Sequence, residues 1–163
     1  MGLNPGRVAY YVAGYCQHLW AVDVSPRMLE LAQERMSERH NVTYNLCQDV
    51  SFPEVPSESI DMAYSLLVLQ HVEREDAFLL LEELRRLFAP AGTSCSPTPT
   101  CSLPYTSLYL ECFIDYAHRR ASSQIDRARP YTSEEVACLI QAAGFEKPLL
   151  EVETEIRVTA QRP

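Results

Sequence analysis

A loop with two glycines, an apolar helix and a short strand that ends in an acid occupy the first 23 residues. The loop runs from Gly2 to Arg7, and the helix is predicted to begin at Gly6. Three apolar residues follow at helical spacing, Val8, Val12 and Tyr15. The strand Leu19 to Asp23 comes next, and a carboxylate at the carboxyl end of such a strand can accept hydrogen bonds from both hydroxyls of a ribose. This order predicts half of a nucleotide site.

The spacing of the glycines discriminates between cofactors. The dinucleotide pattern Gly-x-Gly-x-x-Gly, laid from Gly2, would require glycine where Asn4 and Arg7 stand. The pattern Gly-x-Gly-x-Gly, found in S-adenosylmethionine sites, meets Gly2, Asn4 and Gly6 and therefore departs only at Asn4. Asparagine tolerates positive φ better than most residues that carry a Cβ atom. The loop favours S-adenosylmethionine over a nicotinamide dinucleotide, although short glycine motifs also mark simple tight turns.

Strand and helix patterns alternate through the rest of the first 92 residues. They predict a helix from Ser25-Pro26 to about Glu38, followed by a strand through Val42, Tyr44 and Leu46 that leads to Asp49. A second strand, buried on both faces, is predicted from Ile60 to Val68. A helix through Leu80 and Phe88 then stops at Pro90 and Gly92. Repeats of this length are typical of an α/β fold with a doubly wound, mostly parallel sheet. Its ligand is expected at the carboxyl ends of the strands.

Length, charge and cysteine content limit the possible classes of protein. A chain of 163 residues suits a single domain, with residues 2–92 as the cofactor half and 93–163 as the substrate side. A net charge of -8 disfavours a nucleic-acid partner, since binding phosphates requires clustered Lys and Arg. No apolar run predicts a membrane span or a signal peptide, so a cytoplasmic location is expected. The six cysteines form no C-x-x-C pair, so no metal site is predicted.

Five segments together resemble the class I S-adenosylmethionine-dependent methyltransferases, in particular the small-molecule type with a compact core domain. The segments are Gly2–Arg7, Ala21–Leu29, Cys47–Val50, Ser59–Val72 and Leu84–Gly92. Their order and spacing match the family across residues 2–92. The segments Tyr131–Val136 and Ala143–Phe145 are also similar to the last helix of the family. The resemblance implies a Rossmann-like sheet, S-adenosyl-L-methionine as the cofactor, and methyl transfer to a small-molecule or protein acceptor.

The resemblance also implies roles for individual residues. Gly2, Asn4 and Gly6 would lie against the methionine part of the cofactor, and Asp23 would bind the ribose. Val24 and Met28 would flank the adenine, Asp49 would accept a hydrogen bond from its exocyclic amine, and Val50 would donate a backbone N–H. Ser65 would lie near the transferred methyl. His71 is the candidate general base, which is required only when the acceptor arrives protonated. Each has an ordinary alternative: Asp23 as the cap of the following helix, Asp49 as a turn residue, Met28 as core, and His71 as a half-exposed turn residue.

Two parts of the family pattern are missing from the sequence. The hydrophobic first strand, with its terminal acid, would precede Gly2, so the domain is expected to be N-terminally truncated, less stable than a complete core and weak in cofactor binding. The second departure is the segment Thr93 to Ser102, which contains two prolines where the fifth strand should be. Because proline cannot donate to a ladder, this segment is predicted to be a degenerate strand and not a well-formed central one.

The C-terminal third predicts a helix, a second helix and a little strand. Aromatic residues from Tyr105 onward favour an amphipathic helix to about Arg120. Thr132 to Glu135 reads as a capping box that begins a helix ending at Gly144. Residues 149–160 leave room for one strand or a very short hairpin. A methyltransferase is therefore the favoured function, a non-catalytic relic or binding module is the alternative, and Arg7 disfavours a dehydrogenase.

Overall fold

In the computed structural model, the described residues are 6–47, 49–66, 68–89, 98–104, 131–152 and 155–162. They belong to two compact units, Met1–Pro56 and Ser57–Pro163. The single domain expected from the length stays a prediction. In these described ranges, no helix has both the length and the apolar composition needed to cross a membrane.

Within residues 6–47 and 49–56, the part of the first unit that the structure describes, there are two helices and a pair of parallel strands. Its elements are α1 (Arg7–Val12), β1 (Leu19–Asp23), α2 (Pro26–Arg35) and β2 (Val42–Leu46). Leu19 lies opposite Val42 at one end of the ladder, and Asp23 lies opposite Leu46 at the other. Ser25 caps α2, where its side chain accepts from the backbone N–H of Met28, so the predicted helix start is confirmed.

The core of the first unit consists mainly of small side chains. Ala9, Ala21, Ala32 and Met36 are buried together. A Cβ atom on Gly6 would lie 3.3 Å from both Cα and Cβ of Ala32, and Gly6 has φ of 72°. Glycine at this position therefore lets the start of α1 approach α2 closely.

The predicted apolar face of α1 is wrong. Val8 is 44% exposed and Tyr15, which lies beyond the end of the helix at Val12, is 93% exposed. Ala9 and Ala13, four residues apart, are buried instead. The short helix packs through its small residues because they allow close approach, whereas the larger Val8 and Tyr15 remain at the surface.

The described residues of the second unit form a four-stranded mixed sheet and two helices. Its elements are β3 (Met62–Leu66), a 3-10 turn (Leu69–His71), α3 (Arg74–Leu87), β4 (Thr98–Pro104), α4 (Ser133–Ala142), β5 (Glu146–Val152) and β6 (Glu155–Gln161). The strand order is β3-β4-β6-β5, in which β3 and β4 are parallel and the other pairs are antiparallel. The α/β class with parallel strands is thus confirmed. The prediction that the strand from Ile60 to Val68 is buried on both faces is wrong at Met62. This residue is 64% exposed because it begins β3.

Strand β4 corrects the prediction for residues 93–102. From Thr98 onward this segment forms a strand that pairs parallel with β3, and from Thr100 onward it also pairs antiparallel with β6. The prediction that Thr93 to Ser102 forms no central strand is therefore wrong from Thr98, while residues 93–97 lie outside the described ranges. Pro99 removes only its own donor from the ladder with β3, and it lies just before Thr100, where the ladder with β6 begins. The predicted helix from Tyr105 to Arg120 also lies outside the described residues.

The C-terminal elements are longer than the pattern predicted. Strands β5 and β6 have seven residues each and pair antiparallel, so a hairpin is formed and not a single strand. Its first strand begins at Glu146, directly after the turn at Gly144, and the register shifts between Glu146 and Leu149. Three alternate residues of β6 are almost fully buried: Ile156, Val158 and Ala160. The predicted start of β5, at residue 149, is too late because Pro148 interrupts the alternating pattern.

The predicted capping box at the start of α4 is confirmed. The Thr132 side chain accepts from the backbone N–H of Glu135 at 3.1 Å, and the Thr132 backbone N–H donates to the Glu135 carboxylate at 2.9 Å. Two orphan donors of the first turn are satisfied by this exchange.

Candidate functional site

Asp23 is a buried carboxylate at the carboxyl end of β1. The residue is 8% exposed, and its Oδ1 accepts from the backbone N–H of Ser25 at 2.9 Å. The cap of α2 is Ser25 itself, so Asp23 supports the turn before the helix without being its N-cap. A carboxylate can accept up to about four hydrogen bonds. The turn contact is therefore compatible with a ligand-binding role for Asp23.

The parallel pairing of β1 and β2 brings a second acidic segment to the same edge. The backbone N–H of Cys47 donates to the carbonyl of Asp23 at 2.9 Å, one residue after β2 ends. The thiol of Cys47 then donates to the backbone carbonyl of Asp49. The side chain of Asp49 is exposed. Asp23 and the turn that carries Asp49 are thus adjacent.

Cys47 is a part of this edge that the sequence analysis did not single out. It is 4% exposed, and burial raises the pKa of its thiol, with the negative charges of Asp49 and Asp23 raising it further. The thiol therefore stays protonated and can donate at neutral pH. Its position immediately after a strand was the only sequence signal that could have identified it.

Four further residues predicted to bind the cofactor lie in the described part of the first unit. Gly6 precedes α1 in a left-handed conformation, and no side chain caps this helix there. Val24, next to Asp23, is 66% exposed, while Met28 and Val50 are half-buried. An exposed apolar side chain beside a buried carboxylate is compatible with binding a nucleoside, because the apolar side chain can pack against the base while the carboxylate accepts from the ribose. Gly2 and Asn4 lie outside the described residues.

Ser65 lies near the end of β3 in the second unit. It is 9% exposed, and its Oγ atom has no hydrogen-bond partner in the described part of the chain. Buried hydroxyls are normally hydrogen-bonded, so an unpaired one near the carboxyl end of a parallel strand is unusual. This is the kind of group that a ligand would satisfy.

His71 is the last residue of the 3-10 turn and is exposed. Its Nε2 atom lies 3.0 Å from the side-chain nitrogen of Gln70. The turn also contacts Tyr131, which is 1% exposed and whose hydroxyl lies 3.5 Å from the carbonyl of Leu69.

Tyr131 is a second residue that sequence analysis missed. The guanidinium of Arg74 lies 5.0 Å from the centre of its ring and also pairs with Glu135 at 3.2 Å. These contacts join the starts of α3 and α4 to the turn that carries His71. The available signal was the position of Tyr131 immediately before the capping box. Among the residues that the structure describes, no three His, Cys, Asp or Glu side chains are grouped in a way that could hold a metal ion.

Comparisons with known proteins agree with this architecture. Residues 1–92 match a family model described as a methyltransferase domain. Among the curated proteins, no sequence matches the chain. A methyltransferase from Methanosarcina mazei, described as S-adenosylmethionine-dependent, has 14% identity and a TM-score of 0.77, with 99% of this chain and 89% of that chain covered.

Two further solved structures are similar over nearly the whole chain. Magnesium protoporphyrin IX methyltransferase from Synechocystis, with bound SAH, has 18% identity and a TM-score of 0.71, and the match covers 99% of this chain and 72% of that one. A possible histamine N-methyltransferase from Thermotoga maritima has 19% identity and a TM-score of 0.71, covering 100% and 80%. At these identities the likeness concerns the fold.

The family match extends over more than half of the sequence, 92 of 163 residues. S-adenosyl-L-methionine, the cofactor predicted from the sequence, is the cofactor that the family match and the described neighbours support. Together, the match and the shared fold establish that the chain belongs to the methyltransferase domain family.

Proposed function

We propose that this chain binds S-adenosyl-L-methionine and transfers its methyl group to a small-molecule or protein acceptor. The observation that carries the proposal is the position of Asp23, a buried carboxylate at the carboxyl end of β1, next to the turn after β2. Ligands of parallel α/β sheets bind at this end of the strands. The family supplies the reaction class, and the acceptor class follows from the net charge of -8, which disfavours nucleic acid.

The first unit would hold the nucleoside. Asp23 accepts from the ribose hydroxyls, and the exposed Val24 and half-buried Met28 pack against the adenine. Asp49 accepts from the exocyclic amine of the adenine, and Val50 donates a backbone N–H. The hydrogen bonds of Ser25 and Cys47 support this arrangement, because they orient the two acidic segments before a ligand arrives.

The remaining residues would act at the methionine part and at the acceptor. The role that the resemblance implies for Gly2, Asn4 and Gly6, at the methionine part of the cofactor, stays part of this proposal. In the second unit, the buried hydroxyl of Ser65, which has no partner among the described residues, supports its assignment as a ligand-binding group. The bound cofactor supplies a methyl group on a positively charged sulfur, which is an excellent leaving group. Positioning therefore accounts for much of the rate. His71 takes the proton of the acceptor when the acceptor arrives protonated.

Calorimetric titration with S-adenosylhomocysteine tests the proposal at Asp23. Asp23→Ala is expected to weaken binding by about 1.5-3 kcal/mol, the range for hydrogen bonds to a charged group. This corresponds to roughly 10- to 150-fold in Kd. Asp23→Asn keeps the shape of the side chain and should also bind more weakly. Glu34→Ala, which removes an exposed carboxylate from α2, is the matched control and should bind like the unaltered chain.

Two results would count against this function. Unchanged affinity in a folded Asp23→Ala variant would show that Asp23 does not bind the ribose. Binding of S-adenosylhomocysteine without methyl transfer to any member of a panel of small-molecule and protein acceptors would instead favour the alternative, a non-catalytic binding module.

A further inference from the structure

The segment that carries Asp49 and Val50 ends in a turn whose apolar side chains are buried. Phe52 is 5% exposed and Val55 is 2% exposed, and the backbone N–H of Val55 donates to the carbonyl of Phe52 at 3.0 Å. At the start of the segment, the thiol of Cys47 donates to the carbonyl of Asp49. The segment is therefore held on both sides of the two residues that are proposed to bind the adenine.

A buried side-chain amide in β2 faces this turn. Asn45 is 7% exposed, and one end of its amide lies next to the carbonyl of Tyr44 and the Oε2 atom of Glu54. A carbonyl and an ionised carboxylate only accept hydrogen bonds, so the end of the amide that faces them is its nitrogen. The nitrogen donates to the carbonyl of Tyr44 at 3.0 Å and to Oε2 of Glu54 at 3.2 Å. Each of the two N–H groups of this buried amide thereby has an acceptor.

The two partners of the hydrogen bond between Asn45 and Glu54 differ in exposure. Asn45 is buried in a strand, whereas Glu54 is an exposed residue of the turn. Removing the carboxylate would take away the acceptor of a buried N–H group, and the loss of one partner costs more when the other is buried. A hydrogen bond to an ionised group is also stronger than one between neutral groups. The bond ties the turn to β2, whose ladder with β1 also sets the position of Asp23.

We propose that Glu54 is a positioning residue for the candidate adenine site and that it acts through Asn45. Its carboxylate acts on the turn and not on the cofactor: the hydrogen bond holds the turn, and with it Asp49 and Val50, in place before a ligand arrives. Order that exists before binding raises affinity, because less conformational freedom is lost on binding. This inference rests on the proposed function, since it requires that Asp49 and Val50 bind the adenine.

Calorimetric titration with S-adenosylhomocysteine tests this role in three variants. Glu54→Ala removes the acceptor and is expected to weaken binding by roughly 2- to 10-fold in Kd, the range that one hydrogen bond spans. Glu54→Gln keeps a side-chain oxygen that can accept from Asn45 and should recover most of the affinity. Glu34→Ala removes an exposed carboxylate from α2 and should leave the affinity unchanged. Because Glu54→Ala and Glu54→Gln both remove the charge, a difference between them reports the hydrogen bond.

A double-variant cycle tests whether Glu54 acts through Asn45. In an Asn45→Ala background, Glu54→Ala is expected to change the Kd no further, because the hydrogen bond is already absent. A full additional loss of affinity in the double variant would overturn the assignment of Asn45 as the partner. Thermal unfolding identifies variants that do not fold, and if Asn45→Ala is one of them, the comparison of Glu54→Ala with Glu54→Gln decides.

NMR of the ligand-free chain gives a second measurement that needs no cofactor. The side-chain amide protons of Asn45 are expected to exchange slowly with water in the unaltered chain and in Glu54→Gln, and faster in Glu54→Ala. Relaxation of the backbone nitrogens of Asp49 and Val50 should show increased motion in Glu54→Ala only.

Two outcomes separate this inference from the proposed function. Affinities and amide signals that are the same in Glu54→Ala, Glu34→Ala and the unaltered chain would overturn the role of Glu54 and leave the proposed function intact. Failure of the unaltered chain to bind S-adenosylhomocysteine would instead refute the proposed function, and with it any role of Glu54 in binding.

Discussion

The cores of the two units are made from side chains of different size. In the first unit, one buried cluster consists of Ala9, Ala21, Ala32 and Met36 beside a two-stranded sheet, and Phe52 and Val55 are buried outside this cluster. In the second unit, a four-stranded sheet is accompanied by large side chains that are almost fully buried: Tyr131, Phe88, Leu80, Ile156 and Val158. Because stabilisation grows with the apolar area removed from water, the second unit has the larger source of stability.

The difference places the edge that carries Asp23 in the unit with the smaller buried side chains. Small residues let α1 and α2 lie close to β1, and the polar residues Asp23 and Asn45 are buried at strand positions of the same unit. Burial of such groups is costly unless they are hydrogen-bonded. The buried polar atoms therefore reduce the stabilising free energy that burial contributes in the first unit. We expect it to be the less stable unit. The following predictions test this comparison in order of decreasing effect.

The largest effect is expected from Phe88→Ala in the second unit. Phe88 is 0% exposed, and its ring meets that of Phe145 edge to face at 6.0 Å. Removing a buried phenyl ring costs about 3-5 kcal/mol of unfolding free energy. Urea denaturation measures the loss, and Leu79→Ala, on the exposed side of α3, is the control and should cost much less. A small loss of unfolding free energy in Phe88→Ala would contradict the expectation that the core of the second unit contributes more stability.

A smaller effect is expected from enlarging a residue in the core of the first unit. Ala32 is 0% exposed and lies against Gly6, so Ala32→Val has no space for its added methyl groups. Overpacking of this kind costs about 1-3 kcal/mol. Gln33→Val, at the exposed neighbouring position of α2, imposes the same helical cost of a β-branched residue and serves as the control. Hydrogen exchange should show faster exchange in β1 and β2 only for Ala32→Val; equal exchange in both variants would mean that this core is loosely packed.

The capping box of α4 provides a local test in the second unit. Thr132→Ala removes the acceptor for the backbone N–H of Glu135 and is expected to cost about 1 kcal/mol. Thr132→Ser keeps the hydroxyl and should preserve most of the stability. Thermal unfolding compares the three proteins, and equal melting of all of them would show that the box contributes nothing measurable.

The smallest effect is expected from alkaline pH on the first unit. Burial raises the pKa of the Cys47 thiol above its ordinary value of 9.0, with added repulsion from Asp49 and Asp23. A raised pKa of this thiol stabilises the folded state at any pH below the ordinary pKa. This contribution is lost as the pH rises through the pKa that the thiol has in the folded chain. Stability should therefore fall above pH 9, and Cys47→Ala should fall less steeply than the exposed-site control Cys138→Ala. Urea midpoints between about pH 7.5 and pH 10 give the slopes, and parallel slopes would rule out Cys47 as the cause.

Much of the order of elements was predictable because it depends on local patterns. Ser25-Pro26 and the Thr132–Glu135 box marked two helix starts correctly, since caps are encoded by neighbouring residues. Strand β4 was not predictable, because its pairing with β3 and β6 involves residues far away in the chain. Pro99, which argues against a strand locally, is tolerated because it lies in one ladder only, beside Thr100, which pairs with both β3 and β6.

The candidate site divides in the same way. Asp23 and Asp49 were identified from the sequence because each follows an apolar strand, and the parallel register accounts for their common edge. Their roles toward a cofactor stay predictions. Tyr131 was not identified, because its significance lies in its contacts with Leu69 and Arg74 and not in any motif.

The sequence by itself determined the α/β class and the positions of the acids that end β1 and follow β2, since these follow from periodicity, spacing and local capping. It indicated the family through the resemblance of its ordered segments to the class I methyltransferases. Only the tertiary structure decided that Ala9 and not Val8 packs in the first core, that β4 is paired on both sides, and that Ser65 has a buried hydroxyl without a partner among the described residues. The physical reason is that burial and ladder pairing depend on which distant residues meet, whereas periodicity and caps depend on neighbours along the chain.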